Sequence, residues 1–555
     1  MASDRPSVLD NRREQAFPIL TAEEIGRLRH FGETHRYRPG DHLVEVGRPA
    51  AGLVIILSGE VDASQHDALG HDEHIVTHTA GSFSAELSSL SGAPALVNAF
   101  AKTEVEALVV PPEKLRSLMV EEAELGERIM RALILRRVGL LESGHSGPII
   151  LGDPGHGDVL RLGSFLDRNG HPHQIRDPGS DADARRLLEQ LNLAASDLPL
   201  VICPTGQHLK NPSEDQLARC LGMVRPIDEN KLYDVAIVGA GPAGLAAAVY
   251  AASEGLDVLV LDCRAFGGQA GASARIENYL GFPTGITGMA LMARAYNQAQ
   301  KFGAELHIPD EAVSLRRMDS HLALDAKDGG HVRTRAVVIA TGARYRRPII
   351  PNLETFEGAH VHYWASALEA KLCAGEEVAL VGAGNSAGQA AVFLASKVKK
   401  VWLLMRGAAL GRTMSEYLVE RISAQKNIAV MAHTEIVMLG GTGSKLERVR
   451  WRNKQTDEET EHAIRHLFLF CGAEPNTDWL RSSGVTLDKN RFVCTGLEAG
   501  ENHPSLLTSM DGVFAIGDVR SGSIKRVAAA VGEGAQVVAA IHAHLAKLDQ
   551  GLAKS

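Results

Sequence analysis

The stretch from Asp234 to Asp262, DVAIVGAGPAGLAAAVYAASEGLDVLVLD, decides the fold of the C-terminal half of this chain of 555 residues. An apolar run, a glycine-rich turn, an alanine-rich segment and a second apolar run predict a strand, a turn, a helix and a strand. Here Gly239 allows a sharp turn, Gly241 lets the backbone approach a pyrophosphate, and Gly244 lets the helix pack closely on the strand. The stretch therefore predicts a dinucleotide-binding α/β unit.

The ends of this helix and of the second strand carry residues that suit the same ligand. The helix begins at Pro242 and Ala243, where N–H groups and the positive end of the helix dipole favour phosphate. Asp262 ends the second strand 23 residues after Gly239, the position of an acid that binds a ribose. A turn with fortuitous glycines is the alternative, but it does not explain why strand, helix and acid occur together.

A second copy of the pattern, EVALVGAGNSAGQAAVFLASKVKKVWLLMR, runs from Glu377 to Arg406, about 140 residues later. Its candidate phosphate-binding residues are Gly382, Gly384, Asn385, Ser386 and Ala387. Two such units in one chain imply two bound dinucleotides, which is the layout of a flavin enzyme that a nicotinamide reduces. We therefore expect FAD and NAD(P)H as cofactors.

The second unit has arginine where an acid would bind a ribose hydroxyl. Arg406 stands near that position and Arg412 follows it. Arginine suits the extra phosphate of NADPH, so NADPH is the expected reductant and NADH the alternative. The alternative is that both arginines belong to a solvated helix face and do not bind the phosphate.

The composition excludes several classes of protein. A net charge of −9 and a pI of about 6.2 do not predict a nucleic-acid surface. The start of the chain, MASDRPSVLDNRREQ, is too polar for a secretory signal, and no run of 18 apolar residues predicts a membrane span. We expect a cytoplasmic protein of three or four domains that binds neither nucleic acid nor membrane.

Neither the cysteines nor the histidines form a recognisable metal site. The six cysteines are Cys203, Cys220, Cys263, Cys373, Cys471 and Cys494, with no C-x-x-C pair, so reduced thiols are expected. The segment HDALGHDEHIVTH, from His66 to His78, could ligate a metal, but its alternating polarity favours an exposed hairpin. No metal site is predicted.

Residues 1–145 differ from the rest of the chain. Short β-like runs alternate with glycine turns at Gly40, Gly47 and Gly59, which predicts an antiparallel jelly-roll barrel. One helix is expected to start at Pro111 and Pro112 and to run through EKLRSLMVEEAELGERIMRALILRRVGLLES.

This region resembles the cyclic nucleotide-binding domain of the catabolite activator family in FPILTAEEIGRLRHFGETHRYRPGDHLVEVG, GLVIILSGEV and GSFSAELSSLSG. In that family a Gly-Glu-Leu segment and a later arginine hold the ribose and the cyclic phosphate. Here Ala85 replaces the glycine, Glu86 is kept, and Ala95 stands at the arginine position. A buried phosphate would lack its charge partner, so we expect the fold without cyclic nucleotide binding. With no helix-turn-helix following, a docking or dimer-forming role is expected.

Residues 146–226 resemble the thioredoxin and glutaredoxin fold. Strands are expected in PIILG, HPHQIRD and LPLVICP, with helices between and after them, and Pro199 stands at that family's cis-proline position. The cysteine pair of the family is absent from GDPGHGD, which follows the first strand. We expect a docking or structural role, with catalysis through Cys203 as the alternative.

From residue 231 to about 548 the chain resembles low-molecular-weight thioredoxin reductases, in both glycine patterns and in FGGQAGASARIENYLGFP, VVIATGARYRRPIIP and GVFAIGDVRSGSIKRVAAAVGEGA. The resemblance implies an FAD domain at 231–345 and 473–548, with an NAD(P) domain inserted at 346–472. The further FAD contacts that it implies are Gly268, Gln269, Asn278, Val313, Thr341, Gly342, Gly517, Asp518, Arg526 and Val527. Among these, Val313 would meet the adenine and Asp518 the ribityl–phosphate region.

The chain departs from this family at its redox-active cysteines. Without gaps, the Cys-Ala-Thr-Cys pair of the family falls on Ala365 and Leu368, and Cys373 lies five residues further on. Passing electrons to a disulfide needs a dithiol or an equivalent relay beside the flavin. The fold therefore predicts thioredoxin reduction, whereas these residues argue against it.

We expect a multidomain flavoprotein without the redox-active cysteine pair, which transfers hydride from NAD(P)H to FAD and then to an unknown acceptor. The acceptor could be a small redox protein, a quinone-like molecule or oxygen, and a homodimer is expected. One alternative is thioredoxin reduction through Cys373 or another cysteine. A second is a redox sensor or scaffold without turnover. No catalytic residue is assigned.

Overall fold

The computed structural model describes residues 11–66, 72–85, 88–91, 94–143, 147–191, 193–224, 226–357, 360–412, 414–443, 445–501 and 503–552. The chain divides into two compact units. The N-terminal unit comprises residues 1–154, 162–227 and 297–310, and the C-terminal unit comprises residues 155–161, 228–296 and 311–555.

The N-terminal unit begins with two four-stranded antiparallel sheets, ordered β1-β8-β3-β6 and β2-β7-β4-β5. The strands are β1 (Glu33–Tyr37), β2 (His42–Val44), β3 (Leu53–Ser58), β4 (Val61–His66), β5 (Asp72–His78), β6 (Phe83–Ser84), β7 (Asn98–Ala101) and β8 (Val105–Val110). The helices are α1 (Arg13–Ala16), α2 (Ala22–Leu28), α3 (Ser88–Ser91), α4 (Pro112–Glu121) and α5 (Ala123–Ser143). The expected hairpin at the histidine-rich segment is confirmed as β4 and β5, although residues 67–71 lie outside the described residues.

Strand β3 shows how the two sheets and the helices share their cores. Leu53 and Ile55 are buried in a cluster that includes residues of α4 and α5. Val54 and Ile56 are buried in a second cluster, formed with residues from the other sheet. Because successive side chains of a strand face opposite sides, this apolar strand can serve both cores.

The expectation of one continuous helix after Pro111 and Pro112 is wrong. Helix α4 does begin with Pro112, but the non-helical backbone of Glu122 ends it and α5 starts at the next residue. A Cβ at Gly126 would lie 2.9 Å from the Cα of Met119, so the two helices approach closely at this bend. This close packing stabilises a bend that no local sequence signal predicts.

A small α/β domain follows, with one four-stranded sheet of order β10-β9-β11-β12. Its elements are β9 (Ile149–Leu151), α6 (Gly157–Arg168), β10 (Gln174–Arg176), α7 (Ala182–Gln190), β11 (Leu200–Ile202), β12 (His208–Lys210) and α8 (Glu214–Cys220). Strands β9 and β10 are parallel, whereas β11 is antiparallel to both of its neighbours. The predicted strands and helices are present, but β12 is an addition, because the segment HLK is too short and polar to indicate a strand. The Leu198–Pro199 peptide bond is cis.

The expectation that all cysteines are reduced thiols is wrong for two of them. Cys203 and Cys220 form a disulfide, with their Cα atoms 6.5 Å apart. Cys203 follows β11 and is fully buried, and Cys220 is the last residue of α8. The two residues are 17 positions apart, so only the folding of β12 and α8 brings them together.

The C-terminal unit contains a sheet in which β14, β13, β18 and β29 are parallel and β18, β17 and β16 are antiparallel. Its strands are β13 (Leu232–Val238), β14 (Val258–Leu261), β16 (Ala312–Arg317), β17 (Leu322–Ala326), β18 (His331–Ile339) and β29 (Val513–Ala515). The helices of this part of the chain are α9 (Pro242–Ser253), α10 (Gly268–Gly271), α11 (Gly288–Lys301) and α16 (Val527–Leu552), and β15 (Glu305–His307) follows α11.

The segment between β18 and β29 contains a second, five-stranded parallel sheet of order β20-β27-β21-β22-β23. These strands are β20 (Val361–His362), β21 (Glu377–Val381), β22 (Lys400–Leu404), β23 (Ile428–Met431) and β27 (His466–Leu469). Antiparallel β24 (Thr434–Thr442), β25 (Lys445–Asn453) and β26 (Glu459–His462) form a third sheet. The helices are α12 (Leu353–Phe356), α13 (Ala367–Leu372), α14 (Asn385–Ala395) and α15 (Glu416–Ala424). Where the chain enters and leaves this segment, β19 (Ala343–Tyr345) pairs with β28 (Ala473–Pro475).

None of the helices in the described part of the chain is both long and apolar enough to cross a membrane.

Candidate functional site

The first glycine turn has the geometry that a dinucleotide phosphate requires. Gly239 has a φ of +113°, and a Cβ there would lie 2.2 Å from the carbonyl oxygen of Ala340. A Cβ at Gly244 would lie 1.8 Å from the carbonyl oxygen of Gly239, so both positions exclude any larger residue. A Cβ at Gly241 would be 3.9 Å from its nearest neighbour, which leaves open space in front of the turn.

The first turn of α9 lies next to that open space. Gly241 is the N-cap residue, Pro242 and Ala243 follow it, and no side chain of the described residues caps this end. Such a helix start attracts phosphate through its N–H groups and its dipole. The residues present therefore fit the pyrophosphate of FAD.

Asp262 has a structural role that its sequence position did not reveal. One carboxylate oxygen accepts a hydrogen bond from the backbone N–H of Ala240 at 2.8 Å, and the other accepts from Arg264 and Ala265 at 3.0 and 3.2 Å. The carboxylate thus ties the glycine turn to the end of β14. It keeps acceptor capacity for a ribose hydroxyl, because a carboxylate has about four lone-pair sites.

Two distant segments predicted to contact FAD converge on this turn. A Cβ at Gly268 would lie 3.2 Å from the Cα of Gly241, so the start of α10 lies beside the turn. A Cβ at Gly517 would lie 2.9 Å from the Cβ of Ala243, and the amide of Gly517 donates to Glu533 at 2.6 Å. Burial raises the pKa of the neighbouring Asp518.

The remaining predicted FAD residues occupy varied positions in the C-terminal unit. Gln269 lines a cavity described below, and Asn278 lines a neighbouring depression. Val313 is 41% exposed on β16, which leaves its side chain accessible to a ligand. Arg526 is exposed, and Val527 is the first residue of α16.

Thr341 and Gly342 lie where the chain leaves one part of the C-terminal unit for the other. The Thr341 hydroxyl donates to the carbonyl oxygen of Asn476 at 2.8 Å, and the Asn476 side chain donates to the carbonyl oxygen of Thr341 at 2.8 Å. The amide of Asn476 also donates to the carbonyl oxygen of Gly342 at 3.1 Å. These reciprocal bonds join the entry and exit strands, and Asn476 carried no signal in the sequence.

The second glycine turn repeats the geometry of the first. Gly382 has a φ of +152°, and a Cβ there would lie 2.8 Å from the Cβ of Ala387, whereas a Cβ at Gly384 would meet nothing within 4 Å. Helix α14 starts after Gly384, and again no described side chain caps it. The side-chain oxygen of Asn385 accepts a hydrogen bond from the amide of Ser415 at 2.7 Å.

Arg406 stands at the same edge of the sheet as the second turn. The amide of Gly382 donates to the carbonyl oxygen of Leu404 at 3.0 Å, and Arg406 follows two residues later, exposed to solvent. No carboxylate of the described residues forms a salt bridge with it. Its charge is therefore available to a phosphate. Arg412 ends a short 3-10 helix, but its side chain lies outside the described residues.

Ala365 and Leu368 stand where the dithiol of the related reductases is expected. Ala365 is 6% exposed and lines the wall of a cavity. The indole N–H of Trp364 donates to the carboxylate of Glu369 at 2.9 Å, and the amide of Ser366 donates to the same carboxylate at 2.8 Å. The side chain of Leu368 lies outside the described residues.

Cys373 lies in the interior of the fold. It is fully buried in the core around α14, and its thiol donates to the carbonyl oxygen of Glu369 at 3.0 Å. Burial raises the pKa of this thiol to about 12. Because the thiolate is the reactive species, this environment disfavours redox chemistry at Cys373.

A cavity of about 260 Å³ lies within the C-terminal unit, between residues 269–277 and the segment that contains α14 and α15. Four aromatic side chains line it, namely Tyr345, Trp364, Phe393 and Phe470. Polar and charged lining residues include Gln269, Arg275, Glu277, Ser386, Gln389 and Arg421. Neither Tyr345 nor Trp364 was singled out by the sequence, because single aromatic residues there carry no pattern.

In the described part of the N-terminal unit, Ala95 occupies the position predicted for the phosphate-binding arginine. Ala95 is buried, and its amide donates to the carbonyl oxygen of Arg48 at 2.9 Å. Arg48 itself pairs with Glu45 at 2.8 Å, and Lys102 pairs with Glu60 at 3.2 Å. Glu86 lies outside the described residues.

A buried arginine that the sequence did not indicate lies near Ala85. Arg136 of α5 is 8% exposed and donates to the carbonyl oxygens of Ala16 at 2.8 Å and Ala85 at 3.2 Å. Its guanidinium lies 4.6 Å from the ring centroid of Phe83. Burial, with a contribution from this charge, lowers the pKa of His78 to about 3. The arginine thus ties the helix α5 to the β domain.

Comparisons with known proteins match two parts of the chain to protein families. The profile of the pyridine nucleotide-disulphide oxidoreductase family matches residues 233–534, and that of the cyclic nucleotide-binding domain matches residues 34–122. A thioredoxin reductase of Mycolicibacterium smegmatis is 33% identical over 304 residues, which cover 55% of this chain and 93% of that protein. A bifunctional thioredoxin reductase/thioredoxin of Mycobacterium leprae is 34% identical over 317 residues, 56% of this chain and 65% of that protein.

The solved structure of Lactococcus lactis thioredoxin reductase matches with a TM-score of 0.53 and 27% identity, covering 57% of this chain and 99% of that one. Thioredoxin reductase-like proteins use FAD and NADPH. The chain therefore belongs to the pyridine nucleotide-disulphide oxidoreductase family, as a thioredoxin reductase-like FAD- and NAD(P)H-dependent oxidoreductase that also carries a cyclic nucleotide-binding domain.

Proposed function

We propose that this oxidoreductase passes electrons from NADPH through FAD to an acceptor that enters the C-terminal unit directly, without a dithiol relay. The observation that carries the proposal is Ala365, which lines an open cavity where the related reductases would have a cysteine. The nearest thiol along the chain, Cys373, is buried and protonated. A small redox protein that docks at the same place is the second class of acceptor.

The bound cofactors would have separate roles in this scheme. FAD supplies hydride-accepting chemistry when bound. The turn at Gly239–Gly244 would hold its pyrophosphate, and Asp262 would reach its ribose. The turn at Gly382–Gly384 would hold the nicotinamide cofactor, and Arg406 would favour NADPH through a charge-assisted hydrogen bond to the extra phosphate.

The N-terminal unit would serve docking or assembly and would not bind cyclic AMP or cyclic GMP. The pairing of Arg48 and Lys102 with carboxylates supports this, because a buried phosphate needs a cation of its own. For the small α/β domain we propose a thioredoxin-like fold with a structural role. Its strand order supports that assignment. A cytoplasmic homodimer is proposed for the whole chain.

Two assays on the purified holoprotein test the proposal. NADPH should reduce the flavin in a single turnover and should support steady reduction of ferricyanide, but thioredoxin should not be reduced. The double variant Ala365→Cys, Leu368→Cys is the positive control, since it restores the cysteine spacing of the family. Reduction of thioredoxin by the unmodified chain would overturn the proposal, and Cys373→Ser would then identify the thiol. Rapid flavin reduction without turnover would indicate a redox sensor instead.

A further inference from the structure

The cavity beside Ala365 has walls that suit a flat aromatic molecule. Phe470 and Tyr345 meet edge to face, with ring centroids 5.1 Å apart, and Trp364 is held in place by its hydrogen bond to the buried Glu369. Rigid aromatic walls favour planar rings over flexible chains, because stacking is gained at little cost in side-chain entropy. The volume of about 260 Å³ is below the usual range of roughly 300–1,000 Å³ for small-molecule pockets, which excludes a peptide.

Hydrogen-bonding groups of the cavity suit carbonyl oxygens. Tyr345 and Ser386 both line the cavity, and burial is the main cause that raises the pKa of Tyr345. Tyr345 therefore keeps its proton and can donate it in a hydrogen bond. The side-chain amides of Gln269 and Gln389 add further donors.

Three charged side chains lie at the rim of the cavity. Arg275 lies 3.5 Å from Glu277, and Arg421 forms a second ion pair with the same carboxylate. The two guanidinium groups thus share one carboxylate, which leaves a net positive charge at the rim. This charge and the neutral donors of the cavity suit the electron-rich carbonyl oxygens of a ligand.

Tyr345 connects the cavity with the flavin site. On one side, Gln269, a predicted contact of FAD, lines the cavity together with Tyr345. On the other side Ser386 belongs to the first turn of α14, which follows the second glycine turn. A molecule in the cavity would therefore lie between the two predicted cofactor sites.

We infer that this cavity, between Tyr345, Trp364 and Ala365, binds the electron acceptor and that the acceptor is a small quinone. The inference rests on the proposed function, whose acceptor it names by chemical class. In the net reaction NADPH gives up a hydride and the solvent one proton. The two carbonyl groups of the quinone become two hydroxyl groups, and NADP⁺ is released. Two electrons are transferred, with FAD as the carrier.

Binding of menadione to the oxidised holoprotein, in the absence of NADPH, tests the site without turnover. Menadione should quench the fluorescence of Trp364, and Trp364→Phe should remove most of that quenching. Tyr345→Phe should weaken the binding of menadione about 5-fold, because one hydrogen bond of about 1 kcal/mol is lost. The same variant should bind 2-methylnaphthalene, which has the rings without the carbonyl groups, with unchanged affinity.

Ala365→Leu tests the same site during catalysis. The larger side chain should raise the KM for menadione at least 10-fold while NADPH still reduces the flavin in a single turnover. Ala424→Leu is the matched control, since Ala424 is exposed at the end of α15.

Two results would overturn the inference. One is the absence of fluorescence quenching together with an unchanged KM in Ala365→Leu. The other is an equal loss of flavin reduction by NADPH in that variant, which would assign the cavity to the nicotinamide ring. A failure of NADPH to reduce the flavin of the unmodified protein would instead refute the proposed function, whatever menadione does.

Discussion

The two units of the chain differ in how their sequence motifs relate to their structure. In the C-terminal unit, the residues around Gly241, Gly268 and Gly517 are far apart in sequence and meet at one helix start. In the N-terminal unit, Ala95 stands at the position predicted for the family's phosphate-binding arginine, and a buried arginine, Arg136, lies on α5. The contrast shows that a fold can persist after its ligand-binding residues have changed, because apolar cores and not the site hold the strands together.

The strongest test of this contrast is Gly241→Val. The position has no close protein neighbour, so the variant should fold, but the branched side chain would occupy the space of the pyrophosphate. We expect complete loss of bound FAD, measured as flavin released from the denatured protein. Gly532→Val in α16 is the control, because a Cβ at Gly532 would also meet no close neighbour. This variant should keep its flavin. Normal FAD content in Gly241→Val would show that the first turn is not the phosphate site.

Arg136→Ala probes what holds the N-terminal unit together without a ligand. Two hydrogen bonds from a charged donor would be lost, at roughly 1.5–3 kcal/mol each, so the unit should lose about 3 kcal/mol or more. Hydrogen exchange of the β3 amides would measure this loss. Arg131→Ala, on the exposed side of the same helix, should change the value by less than about 0.5 kcal/mol. Equal exchange in both variants would refute the structural role of Arg136.

Removal of the disulfide tests a feature of the N-terminal unit that only the structure revealed. Cys203→Ser with Cys220→Ser opens a loop of 17 residues, which should cost about 3 kcal/mol of local stability. The expected readout is faster hydrogen exchange in β11 and α8. Cys263→Ser, which removes an exposed free thiol, is the control. Unchanged exchange after removal of the pair would mean that the disulfide does not contribute to stability.

The smallest expected effect concerns the choice of nicotinamide in the C-terminal unit. Arg406→Ala should weaken the binding of NADPH by about 1.5–3 kcal/mol, the contribution of one charge-assisted hydrogen bond. The binding of NADH should not change. Stopped-flow reduction of the flavin with each nicotinamide would measure this difference. Lys426→Ala, an exposed cation at the end of α15, serves as the control. Equal rates with NADPH and NADH in the unmodified protein would contradict the assignment.

Much of the C-terminal unit could be predicted because its signals are local. Gly239 and Gly244 must be glycine for reasons that lie within one strand, turn and helix. The contribution of Asn476 could not be predicted, since it bonds Thr341 from 135 positions away. The bend at Glu122 was also missed, because the sequence on both sides of it favours helix and only the approach of Gly126 to Met119 explains it.

The sequence by itself determined the two dinucleotide-binding units and the expected cofactors, and it predicted the loss of the cysteine pair at Ala365 and Leu368. These conclusions depend on residue types at fixed short spacings. Only the tertiary structure decided that Cys203 pairs with Cys220, that Cys373 is buried, and that an aromatic cavity lies beside Ala365. Pairing, burial and cavities arise when distant segments pack together, and no local pattern of residues encodes that packing.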